Sequence, residues 1–341
     1  MTIPDAADSS AKTWTQRCSL SAVTMYFGGD VYSSVDPFAT ALGTKDGTVS
    51  FIGSDEAALA SEPNAINLDG DFLTPGFVHG GLVLHEGAPD GDRLIESGFT
   101  HVHVLGTAEA VRDFRARAPK GLRIIAYPQL SSETAPATDP ATDRASIAAA
   151  DFLGLETMPE TSLYIDVESN QRLGEVLDRV HDHAALAQRN GYRLLLNFSV
   201  NEEFVTPLGY SGIALTLDPA RPQPLARLLS AGAQVSWTDS QDSPWATVRS
   251  AVVGDSGIGA RAAFNAATRF AHRAAGNPDG GVLAPGADAD FVRWQVERLV
   301  VQVADARVAA WSTDPRSGTP GLPELSPDVP LPTRIALSED A

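Results

Sequence analysis

Six of the seven histidines carry most of this chain's capacity for chemistry. His101 and His103 are two residues apart in an apolar run, so on a strand both rings point to one face. Such a pair can chelate a metal. It sits near the start of its strand, away from the C-terminal ends where barrel enzymes act, and is read first as a packed interior pair. His79 and His85 flank the end of another apolar run and could serve a relocated metal site. His181 and His183 fall within a helical stretch, where residues two apart diverge, and read as an exposed face. His85-Glu86 lacks the second histidine of a zincin helix.

Other nucleophile and cofactor chemistries are thinly represented. Cys18 is the sole cysteine, which excludes an internal disulfide and a thiolate zinc cage. Ser211 lies in Gly-Tyr-Ser-Gly-Ile, where Ile213 replaces the glycine of a nucleophile elbow. No glycine-rich dinucleotide or phosphate loop opens a helix. Tyr127, Trp237 and Trp245 could line an apolar pocket, although core packing is the commoner use.

The elements that must position these groups follow a pattern. Residues 1–18 are polar and read as a loose arm. Residues 19–72 read as short strands broken by turn pairs such as Asp46-Gly47 and Asp69-Gly70. From 73 to 281, apolar runs at 72–78, 100–105, 122–127, 163–167, 193–198, 213–217 and 234–237 alternate with helical stretches at 108–117, 141–153, 173–189, 224–231 and 259–275. That rhythm predicts an α/β fold, a TIM-like (β/α) barrel. Seven strands are counted, one short of eight, so the barrel is shortened or one strand is weakly marked. Residues 282–312 return to strand patterning. Each β-rich end is too short to bury a core alone, which predicts one composite β-sandwich from 19–72 plus 282–312. The proline-rich stretch 313–341 reads as an extended or disordered tail.

Charge and hydropathy bound the function. There are 25 Lys and Arg against 43 Asp and Glu, a formal net charge of −18. That balance disfavours nucleic-acid and anionic-membrane partners. No apolar run approaches about 18 residues, and no signal peptide opens the chain, so a cytoplasmic protein is expected.

Four segments make the chain resemble the amidohydrolase superfamily, particularly amidohydrolase family 3. They are Met25-Tyr26-Phe27-Gly28-Gly29-Asp30-Val31-Tyr32, the Asp46-Gly47 hairpin within 41–53, the run 67–78 ending Pro75-Gly76-Phe77-Val78, and the pair 262–269 with 281–292. The resemblance implies a metal-dependent hydrolase of non-peptide C–N bonds on a barrel. It also implies metal-ligating histidines at the positions of Gly81 and Val83, which have no donor atoms, and an aspartate at His79. Asn197 stands where a further histidine is expected. Asp239 matches the aspartate that ends the last strand, a metal ligand and general base in active members, and is the catalytic candidate. Asp166 and Glu168, with Asn197, are the substrate-pocket candidates.

The expectation is therefore an amidohydrolase-like protein without the usual hydrolytic centre, in a binding, regulatory or vestigial role, with no cofactor. The alternative is an amide hydrolase with a rebuilt mononuclear zinc or manganese site drawn from His79, His85, His103 and Asp239. A small-molecule ligand and a homo-oligomer are compatible with either.

Overall fold

A computed structural model describes residues 23–130, 144–254, 256–302, 311–312 and 320–336. The predicted arm 1–18 lies outside the described residues.

Eight parallel strands follow one another: Phe77–Val83, Phe99–Gly106, Arg123–Pro128, Arg144–Ala148, Ser162–Val167, Arg193–Leu196, Ala214–Leu217 and Gln234–Trp237. Each pairs with its successor in chain order, apart from the third and fourth. Those two meet through a single bridge, Gln129 to Ser146, backed by the Ser146 hydroxyl donating to the Tyr127 carbonyl at 2.8 Å. The last strand lies beside the first without a backbone ladder among the described residues. There the Thr238 hydroxyl donates to the Gly81 carbonyl at 2.9 Å.

The fourth strand is the one missing from the sequence count. An alanine-rich stretch at 141–153 was expected to be one helix. Arg144–Ala148 is instead a strand, and only Ala149–Gly154 is helical. Burial between neighbouring strands overrides the helical propensity of alanine. Two other helices also break. The expected 173–189 divides into Asn170–Asp182 and Ala184–Arg189 at His183. The expected 259–275 divides into Ala260–Ala267 and Arg269–Ala274 at Thr268.

The helices follow ordinary rules. In Asn170–Asp182 the Ser169 hydroxyl accepts from the Arg172 amide, capping the first turn. Leu173, Val176, Leu177 and Val180 then form the buried stripe of period 3.6. Phe77, Trp245, Phe264 and Trp294 stack edge and face in the same large core. Among the described residues no helix is long and apolar enough to cross a membrane.

A three-stranded sheet of Trp311–Ser312, Leu299–Gln302 and Leu322–Pro323 and two four-stranded sheets complete the described strands. One four-stranded sheet orders Thr48–Gly53, Ala41–Lys45, Val23–Phe27 and Ile66–Asn67. The other orders Thr333–Ile335, Phe291–Gln295, Phe72–Pro75 and Asp30–Val31. Asp46 and Gly47, both at positive φ, turn the hairpin as the sequence suggests. Phe291–Gln295 pairs antiparallel with Phe72–Pro75, so the two ends of the chain share a sheet.

Within the proline-rich stretch 313–341, residues 320–336 are described and include two short extended segments that pair with the body of the chain. Leu322–Pro323 pairs with Leu299–Gln302, and Thr333–Ile335 pairs with Phe291–Gln295. Leu322 and Leu325 are buried. Short edge pairings tolerate the flanking prolines. Residues 313–319 and 337–341 lie outside the described residues.

Candidate functional site: the interior between the parallel strands and its two ends

Toward the C-terminal end of the strands, the space beside Gly81 is filled by the ends of two side chains. A Cβ built on Gly81 would lie 2.9 Å from the Tyr164 hydroxyl and 2.9 Å from Leu195 Cδ1. Real Cβ atoms do not approach so closely. Tyr164 and Leu195 pack with Leu105 and Tyr127 in a buried cluster that Val83 joins. The residues at Gly81 and Val83 therefore do not fit a metal held from these two positions.

The remaining candidates at this end are scattered. His79 is buried, and burial holds its pKa below the usual imidazole value, against the opposing field of Asp239. Asp239 Oδ1 accepts from the Gln241 amide and the Thr247 hydroxyl, both at 2.7 Å. It thus ties the end of the last strand to helix Pro244–Val253. Among the described residues its buried Oδ2 has no hydrogen-bond partner, and neither does His79 Nδ1. Asp166 is half-buried; desolvation, then the charge of Glu168, raises its pKa. Glu168 and Asn197 are exposed, and Glu168 pairs with Arg172 at 3.4 Å. His85 is exposed and its Nδ1 lies against the Glu86 carbonyl. Of the predicted rebuilt set, His79 and Asp239 approach each other, His85 is exposed, and His103 is buried in the interior.

That interior is organised by Arg193, which sequence reasoning missed. Its guanidinium is fully buried. It donates to His103 Nδ1 at 3.0 Å, the Tyr127 hydroxyl at 3.2 Å, the Thr216 hydroxyl at 3.2 Å and the Gly80 carbonyl at 3.3 Å. It also lies over the Tyr164 ring, 4.4 Å from the centroid. Among the described residues no carboxylate pairs with it. His103 Nδ1 also lies 3.2 Å from the Gly80 carbonyl, so the arginine and the carbonyl ask opposite tautomers of the same nitrogen. Burial, then the Arg193 charge, drives the His103 pKa well below the usual value, so the ring is neutral. Burial pushes Tyr164 up to about 12.

The opposite end holds a second cluster. His101 lies early in its strand, His272 on helix Arg269–Ala274, and Asp290 just before strand Phe291–Gln295. One ligand-capable atom from each lies within 4.8 Å of the others. His101 Nδ1 and Asp290 Oδ2 are 3.2 Å apart, and the two imidazoles meet edge to face with centroids 4.4 Å apart. The Thr100 hydroxyl donates to Asp290 Oδ2 at 2.9 Å. Burial would raise the Asp290 pKa, but the contacts from His101 and Thr100 outweigh it and bring it down. His272 is lowered to about 4, chiefly by burial and then by His101. His101 was visible through its His-x-His spacing; His272 and Asp290 carried no local signal of joining it.

A cleft of about 540 Å³ lies beside the C-terminal ends, lined by Arg221, Gln223, Leu225, Arg249, Val253 and Pro327 among others.

Eight sequential parallel strands with intervening helices stand beside one sheet of N-terminal strands and one sheet that joins both chain ends, an α/β fold. N-isopropylammelide isopropylaminohydrolase from Burkholderia multivorans is similar at a TM-score of 0.60 and 15% identity, over 81% of this chain and 92% of that one. Guanine deaminase from E. coli gives 0.55 and 16%, over 80% and 89%. Atrazine chlorohydrolase from Arthrobacter aurescens, complexed with zinc, gives 0.52 and 15%, over 85% and 92%. The likeness establishes the fold and accords with the resemblance in the sequence. No family model and no curated protein sequence matches the chain.

Proposed function

We propose that this chain is an amidohydrolase-fold protein whose barrel no longer carries the family's hydrolytic metal centre, and that it acts by binding a small molecule. One observation carries the reading: the space beside Gly81 is occupied by the Tyr164 hydroxyl and Leu195. The buried Arg193 guanidinium supplies positive charge in the same interior. The cleft between Arg221 and Arg249 offers a place for the ligand.

A second reading is metal-dependent hydrolysis of a non-peptide C–N bond. The fold it shares with an isopropylaminohydrolase and a deaminase favours it, as does the His/His/Asp cluster elsewhere in the chain. A test separates the two. The purified chain is assayed with N-isopropylammelide, guanine and a chlorotriazine, with added zinc or manganese. The first reading expects release no faster than in buffer. Metal-dependent turnover abolished by Asp239→Asn would replace it with the second.

A further inference from the structure

We propose that His101, His272 and Asp290 form a mononuclear site for a first-row divalent cation, zinc by donor preference, at the N-terminal end of the strands. The site is independent of the reading above, because it lies at the end opposite Gly81 and Asp239.

The donor set suits the ion. Two imidazoles and one carboxylate are ordinary zinc ligands, leaving the fourth position to water or another carboxylate. Bond lengths of about 2.0–2.2 Å place tetrahedral ligands roughly 3.3 Å apart. The His101–Asp290 separation of 3.2 Å already meets this, and the third ligand lies within 4.8 Å.

His272 supplies the second, independent observation. It is 2% exposed, and neither ring nitrogen has a hydrogen-bond partner among the described residues. A buried imidazole with both nitrogens orphaned is costly unless something coordinates it. The backbone is shaped around this ring. A Cβ on Gly280 would stand 2.6 Å from His272 Nδ1, and one on Gly281 would stand 2.9 Å from its Cδ2. Gly76 completes the fit, since a Cβ there would be 2.8 Å from Asp290 Oδ2. Thr100 holds that same carboxylate oxygen, as outer partners of metal ligands do. Asp279 and Asp288 line the recess, and Asp288 is itself held by Arg123 at 2.6 Å.

The consequence is architectural. The three ligands come from a barrel strand, a late helix and the sheet that unites the chain ends. One ion would bind these together across positions 101 to 290 of the chain.

The full-length chain, stripped with a chelator and dialysed, is titrated with zinc by calorimetry and, separately, with cobalt by visible absorption. One zinc per chain is expected, with a tetrahedral cobalt spectrum and a higher thermal midpoint. His272→Gln and Asp290→Asn should each weaken binding by about 100-fold or more and abolish the thermal shift. His181→Ala with His183→Ala, on an exposed surface, should bind as the parent does. Failure of the parent to bind zinc or cobalt would overturn the proposal. So would affinity unchanged in His272→Gln, or binding lost in the His181/His183 variant. Should His272→Gln fail to fold, the parent's cobalt spectrum decides: octahedral bands or none would overturn the site.

Discussion

The Tyr164 hydroxyl lies 2.8 Å from the carbonyl oxygen of Gly80 and 2.9 Å from the point where a side chain on Gly81 would begin. A residue from the fifth parallel strand thereby fills the interior beside the first. Replacing Gly81 with alanine should cost about 1–3 kcal/mol, the usual range for overpacking a filled interior. Adding Tyr164→Phe should recover part of that loss, because it removes one of the two obstructing atoms. Urea unfolding of the two single variants and the double variant measures the coupling. Strict additivity would show that the two positions do not compete for one space.

Arg193 should tolerate methionine better than lysine. Methionine removes a buried charge that has no carboxylate partner among the described residues, while lysine keeps the charge and cannot span the five partners. The expected order of urea midpoints is wild type, then Arg193→Met, then Arg193→Lys. A lysine variant as stable as wild type would show that a point charge suffices.

Alkaline stability should report on Tyr164. Its pKa is about 12 in the folded chain, against about 10 when unfolded. Below pH 10 both states keep the proton. Between about 10 and 12 only the unfolded chain releases it, so stability falls as pH rises. The loss attributable to Tyr164 should reach about 2–3 kcal/mol at pH 12. Tyr192 is also raised to about 12, so the decisive comparison is with Tyr164→Phe, which keeps Tyr192. The difference in thermal midpoint between the variant and wild type should shift in the variant's favour above pH 10. A constant difference from pH 8 to 11.5 would contradict this.

The fold was legible wherever local pattern and tertiary role agreed. Pro75-Gly76-Phe77-Val78 announced the first strand, because proline ends one sheet and Gly76 must clear Thr100. Leu163, Ile165 and Val167 announced a buried strand through continuous apolarity. The strand Arg144–Ala148 was hidden because its alanines favour helix locally, and only its neighbours reveal it. The site was less legible for a similar reason. A glycine at position 81 signals a missing ligand, but not that tyrosine and leucine from distant strands have closed the gap. Arg193 opens the apolar run 193–198, and the run does not say which way its side chain turns. It turns inward because Thr216, Tyr127, His103 and Gly80 converge on it from four other strands.

Gly80 should be the least replaceable residue where the last strand meets the first. A Cβ there would stand 2.5 Å from the backbone oxygen of Trp237 and 3.2 Å from Thr216 Cγ2. The nearest obstruction is backbone and cannot rotate away. Gly80→Ala must therefore push strand Gln234–Trp237 from strand Phe77–Val83, where no backbone ladder resists separation. The Thr238-to-Gly81 hydrogen bond should open with it. The expected cost exceeds about 3 kcal/mol, above the usual range for overpacking. Hydrogen exchange distinguishes this from general destabilisation. The amides of Val235, Ser236 and Trp237 should lose protection first, while Leu194–Leu196, on the far side of the ladder, should follow only with global unfolding. Uniform loss of protection across both strands would show that the junction is no weaker than the rest of the barrel wall.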